Sequence, residues 1–120
     1  MSVRAIRGAT QVEANTQEAI FAGVRELLSE IMTSNSLQPS GVISVLFTAS
    51  PDLNAAFPAA AAREIGFESV PLICAVEIDV LGALDRTIRV LFHVETPLQS
   101  AEITHIYLHG AKSLRRDIAQ

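Results

Sequence analysis

Thr87-Ile88-Arg89-Val90-Leu91-Phe92-His93-Val94 reads as a β-strand that carries one residue at odds with its surroundings. Period two puts Ile88, Val90 and Phe92 on one face and Arg89, Leu91 and His93 on the other. A guanidinium does not lose its proton, so a partly buried one needs an anionic or acceptor partner. Val3-Arg4-Ala5-Ile6-Arg7-Gly8 repeats the situation near the start of the chain. Two arginine-bearing strands in a chain of net charge −4 suggest a pocket for a small molecule rich in carboxylates.

The flanking segments supply the rest of the sheet and its cover. Residues 2–8 read as a first strand. In Asn15-Thr16-Gln17-Glu18, Asn15 can cap a helix and Glu18 can reach back to it. Ile20, Val24, Leu27, Leu28 and Ile31 then form one buried stripe. Gly23 interrupts that helix as a weak spot, costing about 1 kcal/mol against Ala. Ser34-Asn35-Ser36 and Pro39-Ser40-Gly41 end it and turn the chain. Val42–Ala49 is a strand too continuously apolar to have a wet face. Pro58 suits the first position of a second helix, which runs through alanines to Ile65 and stops at Gly66. Val70–Val80 is expected to be extended, and Ile88–Glu95 and Ile103–Leu108 are expected strands. From Lys112 onward no core role is evident, and residues 112–120 read as a tail free to move. The order β-α-β-α-β-β-β gives an α+β fold, with one mixed β-sheet and helices packed on one side, as a single domain over 1–120.

Composition removes several classes. Hydrophobic residues make up 49% of the 120 and charged residues 18%, which suggests surface hidden in an oligomer. No apolar run approaches the ~18 residues of a membrane span, so no membrane partner is expected. Gln11 and Glu13 follow too soon for a secretory signal, and the single cysteine excludes an intrachain disulfide framework. The acidic balance argues against nucleic acid. A cytoplasmic protein is expected.

Each candidate side chain has an ordinary role beside a functional one. Arg7 and Arg89 either form structural ion pairs or grip a carboxylate, or an oxygen gaining charge, in bidentate fashion. Glu77 and Asp79 alternate with apolar neighbours as the solvent side of a strand would, but Glu77 facing the arginines could accept from a substrate hydroxyl. Cys74 is ordinarily a small core residue, and no neighbouring histidine could activate it. His105 and His109 on an extended strand would lie about 13 Å apart, too far to share a zinc, so no metal is expected. Tyr107 is either a core-edge residue or a donor to a ligand. Arg63, Arg115 and Arg116 are solvated charges that could close the mouth of an anionic pocket. There is no Gly-rich phosphate loop and no nucleophile elbow.

Taken together, the segments resemble the AroH-class monofunctional chorismate mutases. The matching pieces are Arg4–Thr10, Thr48–Leu53, Phe57-Pro58-Ala59, Val70–Glu77, Ile88–Leu91, His105–Leu108 and Leu114-Arg115, in the family's order. The resemblance implies a homotrimer built as a pseudo-α/β barrel, with active sites between neighbouring subunits. It implies conversion of chorismate to prephenate, the branch step toward phenylalanine and tyrosine, by a one-step Claisen rearrangement without cofactor or metal. By the same resemblance, Arg89 points at the ether oxygen and Glu77 binds the ring hydroxyl. Arg7 and Tyr107 hold a carboxylate of the enolpyruvyl side chain, and Cys74 is a wall and weak donor. Phe57, Ala59 and Ile73 line the pocket with Leu114, while Arg63 and Arg115 stand at the entrance. Two positions depart from the family's pattern: Ala60 stands where a lysine is common, and Arg116 where a proline usually follows the tail arginine. Two other readings carry different chemistry: a trimeric deaminase acting on an imine or enamine through water, and a trimeric metabolite sensor that binds without turnover.

Overall fold

The computed structural model describes residues 1–114. Strand β1 (Ser2–Gln11) is followed by helix α1 (Gln17–Ser34), β2 (Val42–Ala49), the short helix α2 (Pro58–Ala62), β3 (Leu72–Val76), β4 (Thr87–Thr96) and β5 (Ile106–Leu108). They form a five-stranded sheet in the order β3-β2-β4-β1-β5. β4 lies antiparallel between β2 and β1, while β3 runs parallel to β2 and β5 parallel to β1. The sheet is therefore mixed, and the α+β order matches the alternation of periods in the sequence.

Period two fixes which face the helices cover. Ile88, Val90, Phe92 and Val94 of β4 are buried, together with Ile6 of β1 and Val45 and Phe47 of β2. Against them pack Ile20, Val24, Leu27, Leu28 and Ile31, the stripe expected for α1. Phe67, just beyond α2, meets Phe92 edge to face, with ring centroids 6.0 Å apart. α2 begins at Pro58, then loosens into a wider turn over Arg63–Phe67 that ends where Gly66 takes φ 106°. Only a residue without Cβ adopts that angle without strain.

Several local expectations are corrected. Thr16, not Asn15, caps α1: its hydroxyl accepts from the Ala19 N–H at 3.1 Å. The Asn15 side-chain Oδ1 instead accepts from the backbone N–H groups of Asn54 and Ala55, both at 3.0 Å, and so ties the helix entrance to the β2–α2 loop. Gly23 is no defect, because a Cβ there would meet Val12 Cγ1 at 2.5 Å; the bare backbone lets α1 close on the chain just after β1. β1 runs on to Gln11, β3 stops at Val76, and β5 holds only Ile106–Leu108. His109 leaves the strand with φ 54°, so it does not continue the face of His105. β2 has a second face that the helices do not cover, where Leu46 is 37% exposed. Leu114 does have a packing role, against a small second cluster of Ala9, Tyr107 and Ala111.

Candidate functional site

The uncovered face of the sheet gathers the chemistry. Strand register sets Ala75, Thr48, Arg89, Ala9 and Tyr107 in one row across β3, β2, β4, β1 and β5. The neighbouring row holds Ile73, Leu46, Leu91 and Arg7. Arg89 and Tyr107 are thus two strands apart, about 10 Å at ~4.8 Å per strand. Arg7 lies diagonally across from Arg89, on the adjoining strand.

Glu77 stands just past the end of β3, where its N–H donates to the Ala49 carbonyl at 2.9 Å. Its Oε1 accepts from the Thr48 hydroxyl at 2.5 Å and lies 3.6 Å from Arg89 Nε. The second separation is an ion contact, too long for a hydrogen bond. Arg89 Nε is itself buried and finds no hydrogen-bond partner among the described residues. The side chain as a whole is 39% exposed, so part of the guanidinium-bearing chain remains open to an incoming group.

A cleft of about 330 Å³ opens beside this pair, lined by Arg89 and Glu77 with Ser50, Asp52, Asp79 and Asp85. Two of its carboxylates are already committed. Asp85 accepts from Gln11 Nε2, and Asp52 accepts from the Arg86 N–H at 2.9 Å. Burial works against the charge on Asp52. The Ser50 hydroxyl, backbone N–H groups including that of Arg86, and the Arg86 charge outweigh it and hold the pKa below its ordinary 3.8. A second cleft, of about 380 Å³, lies between α1 and the end of β1. Three of its charged side chains are engaged within the chain: His109 Nε2 pairs with Glu26 Oε1 at 2.8 Å, and Arg86 Nη1 donates to the Val12 carbonyl at 2.8 Å. That leaves the Arg89 cleft as the better candidate.

Arg7 is exposed, and its backbone N–H donates to His105 Nδ1 at 2.9 Å. Desolvation keeps the His105 pKa below its ordinary 6.5, which suits a ring nitrogen that accepts. Tyr107 is buried in the Ala9 cluster on the same face. The other expected site residues are not brought into the cleft of their own chain. Phe57, 72% exposed, and Arg63, also exposed, sit at either end of α2, on the covered side of the sheet. Ala59 is buried in the core, and Cys74 pairs in register with the core residue Phe47 and packs against that core. Ile73 does lie on the open face, 64% exposed. Arg115 and Arg116 fall outside the described residues. Among the described residues no three His, Cys, Asp or Glu side chains cluster as a metal ion would need, and no helix is long and apolar enough to cross a membrane. Thr48 is the site residue that the sequence reading missed. Its signal, a hydroxyl in step with Leu46 along β2, becomes legible only once the β2–β4 register is known.

These features define an arginine–carboxylate site on an open sheet face, and comparison with known proteins gives it a family. The chain belongs to the chorismate mutase type I family, whose model matches residues 3–118. It is 42% identical over 120 residues to the chorismate mutase AroH of Bacillus subtilis, covering 99% of this chain and 94% of the relative. It is 45% identical over 117 residues to the chorismate mutase AroH of Thermus thermophilus, covering 97% and 96%. The fold superposes on a chorismate mutase from Clostridium thermocellum with a TM-score of 0.90 at 48% identity, over 92% of this chain and 98% of that one.

Proposed function

We propose that this protein rearranges chorismate to prephenate in an active site completed by a neighbouring subunit of a homotrimer. The observation that carries the chemistry is the Arg89–Glu77 pair, a fixed cation whose buried Nε is unsatisfied, 3.6 Å from a carboxylate. The reaction moves no proton and forms no covalent bond to the enzyme. Chorismate must be held in a compact chair, which is a positioning task. As the ether C–O bond breaks, its oxygen gains negative charge, and a preorganised donor there lowers the barrier. Arg89 supplies that donor and Glu77 accepts from the ring hydroxyl. Arg7 and Tyr107 engage a side-chain carboxylate.

Charge balance supports a site shared between subunits. Chorismate is a dianion, yet the cleft of one chain has several carboxylates and a single arginine in its lining. Further cations must come from outside it. Arg63, with Phe57 and the α2 segment, faces away from its own chain's cleft and is available to a neighbour's. In this reading Ala59 contributes through its backbone, Ile73, Cys74 and Leu114 as wall, and Arg115 as a gate at the entrance. Exposed Phe57, Ile73, Val76, Ile78 and Leu81 supply apolar surface that an assembly would cover. Residues 1–120 act as one catalytic domain, in the cytoplasm, on the route to phenylalanine and tyrosine.

The test is turnover by the purified protein, followed by loss of chorismate absorbance and appearance of prephenate. Prephenate formation without ammonia release is the expected result. Tight binding of chorismate without conversion would overturn the enzymatic reading.

A further inference from the structure

We infer that Thr48 is a positioning residue, whose hydroxyl holds the Glu77 carboxylate short of a closed pair with Arg89 and so keeps the guanidinium available to the substrate. The inference rests on the roles of Arg89 and Glu77 proposed above. A guanidinium and a carboxylate free to approach form a bidentate fork with N–O distances of about 2.8 Å. Here the nearest approach is 3.6 Å, although both groups lie on the same face of the sheet and reach toward each other across β2.

The cause is visible in the register. Thr48 sits directly opposite Arg89 across β2 and β4, and its hydroxyl donates to the very oxygen, Glu77 Oε1, that faces Arg89 Nε. The Glu77 backbone is held separately, by its N–H to the Ala49 carbonyl. Backbone and carboxylate are therefore fixed at two points on β2, and neither point is charged. Arg89 Nε is left buried with no acceptor. A buried donor without a partner is costly, and a ligand oxygen gaining charge would relieve it. Were the fork to close, that oxygen would meet a neutralised pair. A neutral hydroxyl orients the carboxylate without adding a further cation to compete for it.

Thr48→Val keeps the shape and removes the donor. It is expected to lower kcat by about tenfold to a hundredfold, the loss expected for a hydrogen bond to a charged group. KM should change less, and Thr48→Ser should recover most of the loss. In a Glu77→Gln background the same substitution should have little further effect, because Thr48 acts through Glu77. An equal loss in both backgrounds, or an unchanged kcat, overturns the inference. Should Thr48→Val not fold, Thr48→Ala against Thr48→Ser carries the same comparison. A crystal structure of the Val variant gives a readout independent of turnover. Contraction of the Glu77–Arg89 contact to about 3 Å is expected, and a separation unchanged from 3.6 Å contradicts the positioning role. If the wild type fails to turn over chorismate while that contact still contracts, the substrate reading falls and the positioning role stands.

Discussion

A guanidinium on the inner strand of a sheet must have its charge met, and the incomplete way in which Arg89 is met is the functional observation. Glu77 lies near it without closing on it, and the Nε donor stays buried and free. Arg89→Ala should therefore lower kcat by at least ~10²-fold while thermal stability is retained, since one preorganised donor alone is worth ~10²–10³ in rate. Steady-state kinetics beside a melting curve check both halves. Arg89→Lys should also be poor, because a point charge does not reproduce the planar fork. Cys74→Ser should cost only a modest fraction of kcat, since the thiol packs toward the core, and complete inactivation of a folded variant would contradict that placement. Arg89 and Glu77 were legible because charge breaks an apolar period of two. The orientation of Cys74 and Ala59 was not, because a short strand and a run of alanines read equally well on either face. Thr48 was hidden for a different reason, as its role exists only across a strand pair distant in sequence.

Helix α1 shows how an element's interior can be plain in the sequence while its edges are not. The five buried positions of its stripe follow from 3.6-residue periodicity alone. The cap was ambiguous because Asn15 and Thr16 both have side chains suited to it, and the β2–α2 loop, unseen in the sequence, recruits Asn15. Thr16→Ala should accordingly destabilise the fold by about 1 kcal/mol, the usual worth of such a cap, as read from denaturant midpoints. Gly23 gives a sharper test, because two principles predict opposite signs. Helix propensity says that Gly23→Ala gains about 1 kcal/mol. The 2.5 Å approach of Val12 Cγ1 says that the new methyl has no room, and overpacking costs about 1–3 kcal/mol. A net loss of stability is expected. A gain would mean that the contact between α1 and the segment after β1 is looser than described.

At the scale of the whole molecule, the proposed homotrimer would cover an apolar surface that includes Phe57, Ile73 and Leu81. The expected result in sedimentation is a trimer, and an active, stable monomer would remove the shared site. Protonation should act on the same framework. Burial lowers the His105 pKa below 6.5, so the folded protein favours the neutral ring, whose Nδ1 accepts from Arg7 N–H. That contribution is complete above pH 6.5 and is lost as pH falls from there through the lower folded value. His105→Asn keeps an acceptor without titrating, so the wild type should lose more stability than the variant between about pH 7.5 and 5; parallel losses would contradict the assignment. Strand count, the succession of elements along the chain and the covered face of β4 were readable because local periods determine them, whereas the order β3-β2-β4-β1-β5 was not, because it depends on pairing between segments distant in sequence. The pairing of Thr48 with Glu77 and Arg89 was not either, because it exists only across three strands brought together by the fold. The most direct test of the account returns to the charge at its centre. Replacing Arg89 with citrulline, which keeps the planar end and removes the charge, should lower kcat by at least ~10²-fold in an otherwise intact protein. A citrulline protein turning over at close to the wild-type rate would show that shape and hydrogen bonding suffice, and that the cation does not drive the rearrangement.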